Sequence, residues 1–236
     1  MRVLALGGAL YFSVTLWASG DGGYAHREAP TNPVYLSEAE YPQLKFAAGR
    51  SPASVGAVQT QDEQALRRYQ KTRTAADCDR AKSEVGVSLA GLYGAPHGPL
   101  SAQETEALSG FFEQVRNDAD FFIHKIKREF GRKRPYEYIA GIEPCILKER
   151  SSAFPSGHAA LAKIYALILK DFIPEKAEMF ERRAKQIGDD RVLAGVHHPS
   201  DIQAGRALAS VLYERMKKND RYNSDFLKMK NALAKK

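Results

Sequence analysis

Three short stretches of this chain hold side chains suited to anion chemistry. The first, KREFGRKRP, runs from Lys127 to Pro135. Lys127 follows Ile126 at the edge of an apolar helical stripe, so its ammonium is directed partly inward. Arg134 stands seven positions on, just before the proline. Arg128, Arg132 and Lys133 read as a solvated basic turn. The second stretch, SSAFPSGHAALAKIYALILKDF, passes abruptly from small and polar residues into an apolar helix. A helix start offers unpaired backbone N–H groups and the positive end of the dipole. Ser156 would cap it, Gly157 would let an anion approach the backbone, and His158 in the first turn could face that anion with a proton. By itself such a start is also an ordinary cap. The third stretch is GDDRVLAGVHHPSD, from Gly188 to Asp201. Arg191 falls on the apolar side of its helix, in step with Ala184 and Ile187, where a charge requires a partner. His197 follows six residues later and Asp201 four after that. A carboxylate that fixes one imidazole nitrogen leaves the other free as a nucleophile. The spacing prefers His197 over the adjacent His198. Three inward cations, an anion-binding helix start, two histidines and a carboxylate together describe a phosphoryl-transfer site that needs no metal.

Helices must position these groups. Leu108, Phe111, Phe112, Val115, Ala119, Phe122, Ile123, Ile126 and Phe130 recur at intervals of three and four, which predicts one long helix capped by Ser101 or Thr105 and ended by Gly131 and Pro135. A second helix is expected from His158 to about Phe172. A third carries Ala177, Phe180, Ala184, Ile187, Arg191 and Ala194 on one face. A last one begins near Pro199, which suits a first helical position. An earlier helical pattern starts near TQDEQALRRYQKTR. No alternating strand pattern and no internal repeat is visible, so the fold class is all-α, a single-domain helical bundle. Residues 21–58, rich in Pro, Gly, Ser and Tyr, read as an extended arm or loops wrapped on a domain spanning residues 59–236.

The formal charge is +7, which favours anionic ligands. The basic residues are scattered along the chain, so a nucleic-acid polymer is not the expected partner. Arg2, the apolar run from Val3 to Trp17 and the small residues after it read as an export signal over residues 1–20, with cleavage after Gly20 or as late as Ala25. No later segment is apolar over a membrane-spanning length. The mature chain is therefore expected without a transmembrane helix, in the periplasm or secreted. Cys78 and Cys145 could pair there or remain as two separate buried thiols.

Lys127-(six residues)-Arg134-Pro135, then Pro155-Ser156-Gly157-His158, then Arg191-(five residues)-His197-(three residues)-Asp201 resembles the tripartite signature of the type 2 phosphatidic acid phosphatase (PAP2) superfamily. The order and internal spacing of all three pieces match. In length and in its export signal the chain is similar to the bacterial class A non-specific acid phosphatases, and SPASVGAVQTQDEQALRRYQKTR resembles their upstream region. Asp190 departs from the pattern, which usually has Ser there, as do Ala153, Phe154 and Ala159. The resemblance implies an acid phosphatase acting on small phosphate monoesters with no metal and no cofactor. His197 would be the nucleophile forming a phosphohistidine, Asp201 its orienting group and His158 the general acid. Lys127, Arg134, Ser156, Gly157 and Arg191 would bind the phosphate oxygens. A lipid-phosphate phosphatase or a vanadate-dependent haloperoxidase would share these motifs. A phosphate-binding protein without catalysis would need the cations but not both histidines and Asp201. A homo-oligomer is compatible with the chain.

Overall fold

Nine α-helices build the fold of the described residues, and no β-strand forms among them. The computed structural model describes residues 30, 32–53 and 55–234. The expected export signal and the first part of the arm lie outside the described residues. In chain order the helices are α1 (Tyr41–Ala48), α2 (Ala57–Thr72), α3 (Ala75–Ser83), α4 (Leu89–Tyr93), α5 (Ala102–Phe130), α6 (Gly157–Phe172), α7 (Ala177–Leu193), α8 (Pro199–Met216) and α9 (Asp220–Ala234).

Helix α5 begins where its sequence provides a reciprocal cap. The Ser101 hydroxyl accepts from the Glu104 N–H at 3.1 Å, and the Glu104 carboxylate accepts from the Ser101 N–H at 2.7 Å. It ends at Gly131, whose left-handed φ of 58° closes the last turn without the steric cost of a Cβ. The apolar stripe from Leu108 to Ile126 is buried. Asp118, in that same register, binds the incoming chain: its carboxylate accepts from the N–H groups of Val34, Tyr35 (2.9 Å) and Leu36 (2.8 Å). This fastens residues 34–36 along α5. Within the stretch expected as arm or loops, Tyr41–Ala48 is helical, with Leu44 and Ala48 buried.

Helix α6 is apolar on nearly all sides, as a helix enclosed by others should be. Its two lysines emerge to share one carboxylate, Glu181 of α7. Helices α7 and α8 pack along it. The approach of α8 is so close that a Cβ built on Gly205 would lie 2.4 Å from the Ser156 carbonyl oxygen. Glycine at that position is what allows the starts of α6 and α8 to meet. Beyond the helix expected near Pro199 there is a further one, α9. It lays Tyr222 and Phe226 against Phe111 and Phe172, with Phe172 and Phe226 stacked at 4.3 Å. Cys78 and Cys145 are disulfide-bonded, which ties α3 to the loop between α5 and α6.

Candidate active site

The eight residues singled out from the sequence lie around one buried centre, at the end of α5, the starts of α6 and α8, and the end of α7. Lys127, Arg134, His158, Arg191, His197 and Asp201 are each at most 2% exposed. The two helix starts are joined at the backbone: the Ser156 N–H donates to the Asp201 carbonyl at 3.0 Å. The Ser156 side chain accepts from the Ala159 N–H at 3.3 Å, which caps α6 directly before Gly157 and His158.

His197 stands between a guanidinium and a carboxylate. Arg134 Nη1 donates to His197 Nε2 at 3.0 Å, and His197 Nδ1 faces Asp201 Oδ2 at 3.4 Å. Arginine has no acceptor, so Nε2 carries the lone pair and Nδ1 the proton. Burial and the nearby Arg134 charge hold the ring well below the usual histidine range, against the pull of Asp201. It is therefore neutral, with the Nε2 lone pair turned toward Arg134. Asp201 is pushed up by burial, but hydrogen bonds from His197 and His198 and the charge of Arg132 outweigh this and hold it well below the carboxylate range.

His158 Nε2 lies 3.3 Å from the Val85 carbonyl, an acceptor only, so that nitrogen bears a proton. Burial, then the charge of Arg191, lower this imidazole to about 3. Burial and Arg134 likewise bring Lys127 down to about 7; its amine donates to the Ser152 carbonyl. Arg191 is anchored by Nη2, which donates to the Ala81 carbonyl and to Glu84, both at 2.6 Å. Its Nε and Nη1 are buried and have no hydrogen-bond partner among the described residues. Open donors on a buried cation are costly, on the order of 1–3 kcal/mol each, unless an anion takes them.

Several functional neighbours were not expected. Arg132, read as part of a solvated turn, is instead buried at 8% exposure. Its Nη1 donates to Asp201 Oδ1 at 2.6 Å and to Ser200 Oγ at 2.7 Å, while Nη2 donates to Asp62 at 3.0 Å and Gln59 at 3.1 Å. Two buried carboxylates from α2 and α8 draw this guanidinium inward past the end of α5. Its signal lies far upstream: Gln59 and Asp62 fall in helical step with the buried Leu66. His198, the less preferred histidine, is fully buried and lies nearer Asp201 Oδ2 than His197 does, with Nδ1 at 2.9 Å. Its Nε2 pairs with the Tyr138 hydroxyl at 2.9 Å. Glu84, buried between Arg183 and Arg191, and Glu149, half-buried with its carboxylate beside Arg134, are acids in loops that no periodicity marks. Asp190 accepts from two Arg80 nitrogens, Nε at 2.8 Å and Nη2 at 2.7 Å, an ion pair that explains a carboxylate where the motif usually has serine.

The PAP2 superfamily model matches residues 107–217, a span that contains all of the motif residues. A non-specific acid phosphatase of Providencia stuartii is 27% identical over 199 residues, covering 78% of each chain. Two solved structures share the fold. One is a transmembrane PAP2 type phosphatidylglycerolphosphate phosphatase from Bacillus subtilis, with a TM-score of 0.53 and 19% identity over 76% of this chain and 92% of that one. The other is a bacterial vanadium-dependent iodoperoxidase, with a TM-score of 0.54 and 13% identity over 82% of this chain and 60% of that one. The chain belongs to the PAP2 superfamily. Within it, the chain is similar over most of its length to an acid phosphatase. Among the described residues no helix is long and apolar enough to cross a membrane.

Proposed function

We propose that this chain is an exported acid phosphatase that hydrolyses small phosphate monoesters through a phosphohistidine on His197. It is a phosphoric monoester hydrolase of the PAP2 type. The observation that carries the mechanism is the pair of buried donors on Arg191 that have no partner among the described residues, in a cage where the His197 Nε2 lone pair faces Arg134. Phosphate oxygens take the Arg191 donors and displace contacts of Arg134. Lys127, Ser156 and the Gly157 N–H complete the cage. His197 attacks phosphorus in line, and Asp201 stabilises the imidazolium that forms. His158 protonates the leaving oxygen and then draws a proton from the water that hydrolyses the phosphohistidine. The cage cations supply the charge stabilisation this slow reaction demands.

The residues before about Asp21 act as the export signal, so the exported protein lacks Met1. Rapid quench with labelled phenyl phosphate tests the chemistry. Wild type is expected to form an acid-labile, alkali-stable phosphoenzyme that His197→Ala does not form. Label persisting in His197→Ala, or appearing on His158 in the wild type, overturns the assignment. Bromide oxidation by peroxide after vanadate loading, in place of ester turnover, would put the chain with the haloperoxidases.

A further inference from the structure

The loop between α5 and α6 brings a carboxylate to the anion cage that the reaction above does not use. The Glu149 side chain is 8% exposed. Its Oε2 accepts from Arg134 Nη2 at 3.0 Å, and its Oε1 lies 4.0 Å from His158 Nδ1. Each element around the cage turns a charged or titratable group toward it: Lys127 from α5, Arg134 from the turn after α5, His158 from the start of α6 and His197 from the turn between α7 and α8. From its own loop, the Tyr136 hydroxyl donates to the Glu149 carbonyl at 2.9 Å. Burial alone would raise this carboxyl, but the charges of Arg134, His158, His197 and Lys127 prevail and lower it to about 2. Glu149 is therefore an anion at any working pH, and a carboxylate only accepts hydrogen bonds.

A phosphate group that reaches Arg134 and His158 comes up against that acceptor. A fully ionised oxygen placed there is repelled, whereas a P–OH group donates to it. Phosphate monoesters lose their second proton at a pH of about 6, so both forms are available. We propose that Glu149 selects the singly charged form of the phosphate ester by accepting a hydrogen bond from its P–OH, and so sets the acid preference of this site. This rests on the hydrolase reading given above.

The selection also identifies where the leaving group's proton comes from. Burial and the Arg191 charge keep His158 neutral, so the enzyme does not bring that proton; the monoanion carries it in. As the His197–phosphorus bond forms and the bond to the leaving oxygen breaks, the P–OH proton passes through His158 to that oxygen. An alcohol leaves, and the phosphoryl group stays on an imidazolium, so charge and protons balance.

Titration calorimetry of the full exported chain with inorganic phosphate and with sulfate tests the proposal. Sulfate has the same shape and no proton to donate. At a pH of about 5 the wild type is expected to bind phosphate about tenfold or more tighter than sulfate, at least the factor carried by one pKa unit of interaction. Glu149→Gln keeps the shape and an acceptor for Arg134 but removes the charge, and it should reduce that preference to about threefold or less. Equal binding of the two anions by the wild type overturns the proposal, and so does full discrimination in Glu149→Gln. The wild-type comparison needs no variant to fold. Because neither measurement needs turnover, phosphate selection in a chain that hydrolyses nothing would leave the selection by Glu149 standing and remove the hydrolase reading.

Discussion

Replacing Arg132 by methionine keeps much of the side chain's volume and removes its charge. The guanidinium bridges Asp62 and Asp201, with side chains 6%, 4% and 0% exposed. These are buried pairs, so no surface discount applies. Deleting one member of such a network strands the others and costs about 3–5 kcal/mol. For a chain of this length each kcal/mol lowers the melting temperature by roughly 2–4 °C, so Arg132→Met should melt about 6–20 °C below wild type. The loss has a pH signature. In the wild type Asp201 titrates below its unfolded value, so its contribution is present above the unfolded pKa and lost as pH falls through the folded one. Without Arg132 the folded Asp201 carboxylate titrates higher. The deficit of the variant is then full above that raised pKa and shrinks as pH falls through it. Calorimetric melting of both proteins from neutral to acid pH measures this. A variant that melts within about 2 °C of wild type at neutral pH, or whose deficit grows on acidification, refutes the reasoning.

Gly205→Ala would set its Cβ against the Ser156 backbone oxygen, which cannot rotate away; it should cost about 1–3 kcal/mol in melting experiments and lower kcat. His198→Ala should still form the phosphoenzyme on His197 but more slowly, because Asp201 loses its nearer partner; pre-steady-state labelling reads the rate, and an unchanged rate counts against a positioning role. Tyr138→Phe should move the rate in the same direction by less. Serine at Cys78 and Cys145 opens a cross-link between positions 67 residues apart and should cost about 2–4 kcal/mol in denaturant unfolding, with dithiothreitol having the same effect on wild type.

Helices α5, α6, α7 and α8 were legible because each buries a stripe or a full circumference of apolar residues, and that periodicity survives whatever the helix packs against. The chemical residues were legible because their spacing is local: His197 and Asp201 lie one helical turn apart across a helix start. Arg132 was not, because burial of a cation is decided by its partners, and Asp62 lies seventy residues upstream on another helix. Nothing within KREFGRKRP separates Arg132 from Arg128 or Lys133. Glu84 and Glu149 sit outside regular elements, where no repeat tells an inward side chain from an outward one. Helix α9 does carry a stripe, Tyr222, Phe226, Met229 and Leu233 at intervals of four, three and four, but its aromatic contacts exist only once α5 and α6 have formed. The arm concealed α1 because its few buried positions, Leu44 and Ala48, fill only two turns.

The bond from the Ser156 N–H to the Asp201 carbonyl, with Gly205 pressed against the same serine, makes two motifs 45 residues apart a single mechanical piece. In-line displacement tolerates little angular error between the attacking nitrogen and the departing oxygen. Here the carboxylate that aims the nucleophile and the cap beneath the proton donor are bolted together through main chain. A shift of either helix start is then passed to the other rather than opening an angle between them. Alignment of this kind constrains future sequence change more tightly than chemistry alone would: a side chain at position 205 touches no substrate, yet it would move both ends of the reaction coordinate at once.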